Sequence, residues 1–117
     1  MPHCIVEYSA NLEADLSPRK LIRRIYDAIV ATGVYPLGGV RVRAARRDVY
    51  IVADGDPENA FVAVLIRMGL GRDEATRRRV SQEVLAALAD ETSDSFARRG
   101  LSLSVEIQEI EESGASR

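Results

Sequence analysis

The sequence predicts an α/β (α+β) chain built as a tandem β-α-β repeat, with a four-stranded sheet carrying two helices on one face. Three observations support this. The order strand, helix, glycine, strand occurs twice, a long-period self-similarity that outweighs any single local assignment. Crossovers between paired strands of one sheet are right-handed, so each unit should hold two parallel strands. The helical segments each mark an inner apolar face, and the strands alternate or are apolar throughout, so every element has a side to bury. A chain of 117 residues suits one core. We therefore expect a single domain over residues 1–110, with pseudo-repeats 1–56 and 57–110, and a disordered Ser/Gly-rich tail at 111–117.

Residues 3–8 read as the first strand, followed by a polar connection from Asn11 to Leu16. Ser17-Pro18 is a helix start, with serine as N-cap and proline at the first helical position. Leu21, Ile22, Ile25, Ala28 and Ile29 form its stripe, and Gly33 closes it as C′ residue. Pro36-Leu37-Gly38-Gly39 is a turn. In the next strand Val40, Val42 and Ala44 point one way, and Arg41, Arg43 and Ala45 the other. Two arginines on one strand face need anionic partners or a wet cleft. Val49 to Ala53 are expected to continue as extended chain, and Asp54-Gly55-Asp56-Pro57 is turn chemistry; too few ligand positions accompany these aspartates for a calcium loop.

Ala60 to Met68 is the most apolar strand and predicts burial on both faces. Gly69-Leu70-Gly71-Arg72 leads into one long helix from Asp73 to Arg99. Val80, Val84 and Leu88 line its inner side with Leu85 beside them, and Arg77-Arg78-Arg79 read as a solvated face. Asp73 and Glu74 in the first turn, and Arg98 and Arg99 in the last, complement the helix dipole. The final strand alternates Leu101, Leu103, Val105 and Ile107 with Ser102, Ser104, Glu106 and Gln108.

A net charge of −2 argues against a nucleic-acid partner, and no membrane-length apolar run or leader is visible, so a cytoplasmic location is expected. The single cysteine, Cys4, excludes an internal disulfide and reads as a buried, inert thiol. One histidine, His3, and no Cys/His cluster exclude common zinc spacings; His3 reads as structural. Fifteen arginines against one lysine supply many planar forks suited to carboxylates, although surface ion pairing is their commoner use.

The candidate chemistry lies at the start. Removal of Met1 would leave Pro2 with a secondary amine, and α-amines titrate near ~7.7–8.0, closer to neutrality than lysine. Burial and nearby cations lower such a pKa further. Both helices on one sheet face leave the other uncovered, which points to association, most simply a homotrimer.

A repeated β-α-β unit opening on Met-Pro resembles the tautomerase superfamily, and more narrowly the 5-carboxymethyl-2-hydroxymuconate isomerase family. The stretches that carry the resemblance are residues 1–7 (MPHCIVE) and 31–43 (ATGVYPLGGVRVR), then Ala53-Asp54-Gly55, Ala60-Phe61-Val62 and Gly69-Leu70-Gly71-Arg72. The resemblance implies a tautomerase-like fold, a homotrimer with sites near subunit boundaries, and no cofactor. It implies an isomerase of aromatic catabolism that moves a proton along a conjugated anionic muconate after ring cleavage of homoprotocatechuate. By matching position Pro2 is the proton-shuttling base, and Arg41 and Arg72 bind or polarise a small di- or tricarboxylate. Arg43 is a further candidate contact. Family members can run on beyond the last strand, and any contacts made there would be missing here. Two other readings stay open: a different enol-keto tautomerase or haloacrylate dehalogenase that keeps the proline, and a non-catalytic oligomeric protein whose arginines pair acids across subunits.

Overall fold

A computed structural model of the chain describes residues 2–110, so Met1 and the tail expected to be disordered lie outside the described residues. Strand β1 (His3–Ser9) buries alternate residues Cys4, Val6 and Tyr8 and turns His3, Ile5 and Glu7 to the opposite face. Helix α1 (Pro18–Ala31) starts where the Ser17-Pro18 signal puts it, with Ser17 Oγ accepting from the Lys20 N–H at 3.4 Å. Leu21, Ile25 and Ile29 form its fully buried stripe. It ends at Thr32, and Gly33 follows at φ +70°, a conformation that costs glycine little. Strand β2 (Arg41–Arg47) then runs parallel to β1, with His3 opposite Arg41 and Ile5 opposite Arg43.

The second unit repeats this plan. Strand β3 (Ala60–Gly69) pairs antiparallel with β1, and strand β4 (Leu101–Ile110) pairs parallel with β3. The sheet order is β2-β1-β3-β4, so each β-α-β unit supplies one half and the first strands of both units meet in the middle. Val62, Val64, Ile66 and Met68 of β3 join the stripe of α1 and Val80, Val84 and Leu88 in one core between the sheet and both helices.

Six sequence expectations are corrected. The long helix is two: α2 (Glu74–Glu91) and α3 (Ser93–Arg98), broken at Thr92. The hydroxyl of Thr92 donates to the Leu88 carbonyl at 2.8 Å, and the run Thr92-Ser93-Asp94-Ser95 offers the backbone local side-chain partners in place of a continuous ladder. Asp73 is the N-cap of α2 and not part of its first turn, and Arg99 has left the last helix for an extended conformation. Leu85 faces out, 40% exposed. Residues 49–53 form no strand: Asn59 donates to the Val52 carbonyl and to Asp54, closing a turn that leaves Val49 and Ile51 exposed. The second face of β3 is only half covered: Phe61, Ala63 and Leu65 alternate with the buried residues, and Tyr50 meets Phe61 edge-on at 6.0 Å. The connection after β1 also gains order, as a 3₁₀ turn over Ala10–Ala14 that drives Leu12 into the core.

Among the described residues no helix is long and apolar enough to cross a membrane, and no three acidic, His or Cys side chains gather as a metal cluster.

Candidate active site

Pro2 precedes β1 and is buried, continuing inward the set of Cys4, Val6 and Tyr8. Its carbonyl accepts the backbone N–H of Arg41 at 3.1 Å, which ties the chain start to the first residue of β2. Arg41 in turn donates from Nη1 to the carbonyls of Gly38 and Gly39, at 3.3 and 3.0 Å. Both carbonyls belong to the short 3₁₀ turn Leu37–Gly39, which the Pro-Leu-Gly-Gly sequence folds directly before the strand. Arg41 is exposed, and its remaining donors have no partner among the described residues.

Arg43 lies two residues further along β2 on the open sheet face. Its Nη1 is 3.2 Å from His3 Nδ1, which must act as acceptor, so the imidazole is the neutral tautomer with its proton on Nε2. Burial, then the charge of Arg43, hold the His3 pKa below its ordinary value, and Arg41 and Arg67 push the same way. Arg67 sits across from His3 on β3 and is exposed.

Arg72 reaches the same end of the sheet from the second unit. Gly71, at φ +113°, reverses the chain after β3 and sets Arg72 before the Asp73 cap of α2. The Arg72 guanidinium lies over the ring of Tyr35, 4.7 Å from its centroid, and Nη1 donates to the Gly69 carbonyl at 3.3 Å. The Tyr35 hydroxyl donates to Met68 Sδ at 3.5 Å, and Arg77 donates to the Arg72 carbonyl. Burial raises the Tyr35 phenol above its ordinary range, with Arg72 opposing, so the ring stays neutral around pH 7. Cys4 is buried too, its thiol pushed up to about 12 by desolvation, which leaves it without nucleophilic character.

Charge is segregated across the molecule. Nine arginines have a carboxylate within 4.0 Å: Arg23, Arg24, Arg46, Arg47, Arg77, Arg78, Arg79, Arg98 and Arg99. Among the described residues Arg19, Arg41, Arg43, Arg67 and Arg72 have none; Arg19 lies on α1, and the other four cluster at the end of the sheet where Pro2 precedes β1. An unpaired cation keeps its charge for a ligand. Alongside, a groove of about 600 Å³ between α1 and the β2 edge has an apolar floor of Ile22, Tyr26, Val40 and Val42 and an arginine rim that includes Arg41 and Arg43.

All four residues proposed from sequence thus come to one end of the sheet, but on two sides. Arg41 and Arg43 belong to the outer strand, whereas Arg72 and its Tyr35 platform lie on the helix side, above Met68. Two residues went unnoticed. Arg67 carried a signal, a cation near the end of the most apolar strand. Tyr35 carried none, because nothing in one dimension pairs it with Arg72.

The family model for 5-carboxymethyl-2-hydroxymuconate isomerase matches residues 2–117. A 5-carboxymethyl-2-hydroxymuconate Delta-isomerase of Escherichia coli is 31% identical over 110 residues, covering 94% of this chain and 87% of its own. A crystal structure of a 5-carboxymethyl-2-hydroxymuconate isomerase from Deinococcus radiodurans R1 superposes with a TM-score of 0.89 at 36% identity, covering 99% of this chain and 87% of that one. A 5-carboxymethyl-2-hydroxymuconate delta-isomerase structure gives 0.91 at 29% identity, covering 100% and 87%. A fused 4-OT wild-type symmetric trimer gives 0.75 at 16% identity over 98% of this chain and 90% of that one, a likeness of fold alone. With the doubled β-α-β sheet, the buried Pro2 and the arginines around it, these matches establish that the chain belongs to the 5-carboxymethyl-2-hydroxymuconate isomerase family.

Proposed function

We propose that the protein is a cofactor-independent isomerase of 5-carboxymethyl-2-hydroxymuconate in homoprotocatechuate degradation, with Pro2 as its acid and base once Met1 is removed. The observation that carries this reading is the set of four guanidiniums that have no carboxylate partner among the described residues, gathered around the one position that can become a secondary amine. The substrate is polyanionic, and guanidiniums bind carboxylates bidentately.

In this mechanism the neutral Pro2 amine takes the proton of the enol hydroxyl. The π system shifts by one conjugated unit as the C–O bond becomes a carbonyl. The resulting ammonium then returns its proton to a carbon further along the chain, so the product is an isomer with nothing gained or lost. One group acts first as base and then as acid. Arg41 and Arg72 hold carboxylates and offset the charge that grows on the dienolate oxygen, a contribution worth most where water is scarce. The same cations disfavour a protonated amine and so keep Pro2 competent near neutral pH. Arg43, already engaged with His3, is the outer carboxylate contact.

The active unit in this reading is a homotrimer. Ile5, Phe61 and Leu65 lie half-covered on the open sheet face, and packing three such faces around an axis would bury them. Sedimentation at micromolar concentration should give three times the chain mass; a monomer would end this part of the proposal.

The deciding experiment is an ultraviolet time course with 5-carboxymethyl-2-hydroxymuconate, using protein whose intact mass shows Met1 removed. Conversion to the conjugated ketone well above the buffer rate is the expected result. No acceleration would reject this substrate and direct the assay to phenylpyruvate and haloacrylates.

A further inference from the structure

We propose that Tyr35 is the positioning residue of Arg72, an aromatic platform that fixes the guanidinium while leaving its charge unneutralised for a substrate carboxylate. The inference rests on the reading of Arg72 as a carboxylate-binding residue and names what makes it one.

An arginine that must bind an anion faces two opposed demands. Its long side chain has to be held in one orientation, since lost rotamer freedom otherwise weakens binding. The usual means of holding it, an acidic neighbour, cancels the charge that the ligand needs. Elsewhere this molecule uses that means freely, as with Arg47 on Glu7 at 2.6 Å and Arg46 on Asp48 at 2.9 Å. At Arg72, among the described residues, it does not. The guanidinium is stacked 4.7 Å from the Tyr35 centroid and spends one donor on the Gly69 carbonyl, so most of its five N–H groups remain free.

The platform itself is held from below. Tyr35 is half-buried against the core, and its hydroxyl is anchored on Met68 Sδ at 3.5 Å. Met68 is fully buried on β3, one residue past Arg67, which pairs with His3. Ring and cation are therefore referenced to the central strand pair of the sheet, beside the start of β1 where Pro2 lies. The phenol keeps its proton near pH 7 and commits it to Met68 Sδ, so what it offers the cation is the π face.

The test separates ring from hydroxyl and binding from turnover. In Tyr35→Leu the volume is largely kept but the face is lost. We expect about a tenfold rise in KM for the muconate, with a fall in kcat beside it because Arg72 also offsets charge on the dienolate oxygen. Competitive inhibition by adipate, an unreactive dicarboxylate, should weaken by the same factor. Tyr35→Phe, which restores the ring, should recover most of the lost binding. In an Arg72→Met background Tyr35→Leu should add nothing, because there is no cation left to position. If Tyr35→Leu does not fold, Tyr35→Met carries the same comparison.

Equal losses in Phe and Leu variants, a Leu variant that binds like wild type, or full additivity with Arg72→Met would each overturn the proposal. Failure of the functional reading looks different. Wild type would then bind adipate in a Tyr35-dependent way in calorimetry yet leave the muconate unchanged. Wild type that binds no adipate would overturn both.

Discussion

The ion pair between Asp15 and Arg99 should be worth several kcal/mol when broken one-sidedly and little when replaced as a pair. Both side chains are buried, 6% and 9% exposed, at the end of the sheet away from Pro2. They join the first unit, just before α1, to the second, just before β4. Arg99 Nε approaches Asp15 Oδ2 at 2.9 Å without hydrogen-bond alignment, and Nη2 bonds Oδ1 at 3.3 Å, so charge attraction is the larger part. At an effective dielectric of ~20, Coulomb's law gives about 6 kcal/mol at that separation, most of it offset by the cost of desolvating both ions. Asp15→Asn would leave Arg99 only the exposed Glu58 at 3.4 Å, and Arg99→Met would leave Asp15 only the exposed Arg98 at 3.9 Å, so each should cost ~3–5 kcal/mol. For a chain of this size that corresponds to a fall in Tm of roughly 12–20 °C. The double variant Asp15→Leu/Arg99→Met should lose far less than the sum. The assay is urea unfolding at fixed protein concentration, since self-association would shift apparent stability. Single losses below ~1 kcal/mol, the range of exposed pairs, would refute this account. So would additivity in the double variant, which would mean that the two groups do not interact.

Three further outcomes follow from the site. Pro2→Ala should lower turnover ~10²–10⁴-fold, the range of a positioned acid–base group, whereas Arg41→Ala should also raise KM; steady-state kinetics on Met1-free protein separate the two. His3, its folded pKa depressed by burial and by Arg43, binds fewer protons folded than unfolded. Stability must then rise with pH through this window and fall as pH drops below ~6.5, so His3→Gln should flatten the difference in urea midpoint between pH 5 and pH 7.5. Cys4, with a thiol near 12 and no exposure, should resist a disulfide reagent at pH 8 in native protein and react fully in denaturant; fast labelling of folded protein would show that the start of β1 opens.

The doubled unit, the caps at Ser17 and Gly33, and the alternating faces of β1, β2 and β4 were legible because hydrophobic periodicity and capping chemistry act over a few residues. The family resemblance was legible for the same reason, in contiguous stretches such as residues 31–43. The helix break at Thr92 was less so: an apolar pattern running past a Thr/Ser/Asp cluster does not say whether local side-chain bonds will defeat the ladder. Arg99 shows how far such a local choice reaches, since leaving the helix is what lets it meet Asp15. The sequence by itself determined the elements, the polarity of their faces and the candidate residues Pro2, Arg41, Arg43 and Arg72. Only the tertiary structure decided which arginines stay unpaired and that Tyr35 lies under Arg72. A charge's partner and a ring's neighbour are set by chain crossings between the two repeats, and no short-range pattern encodes those.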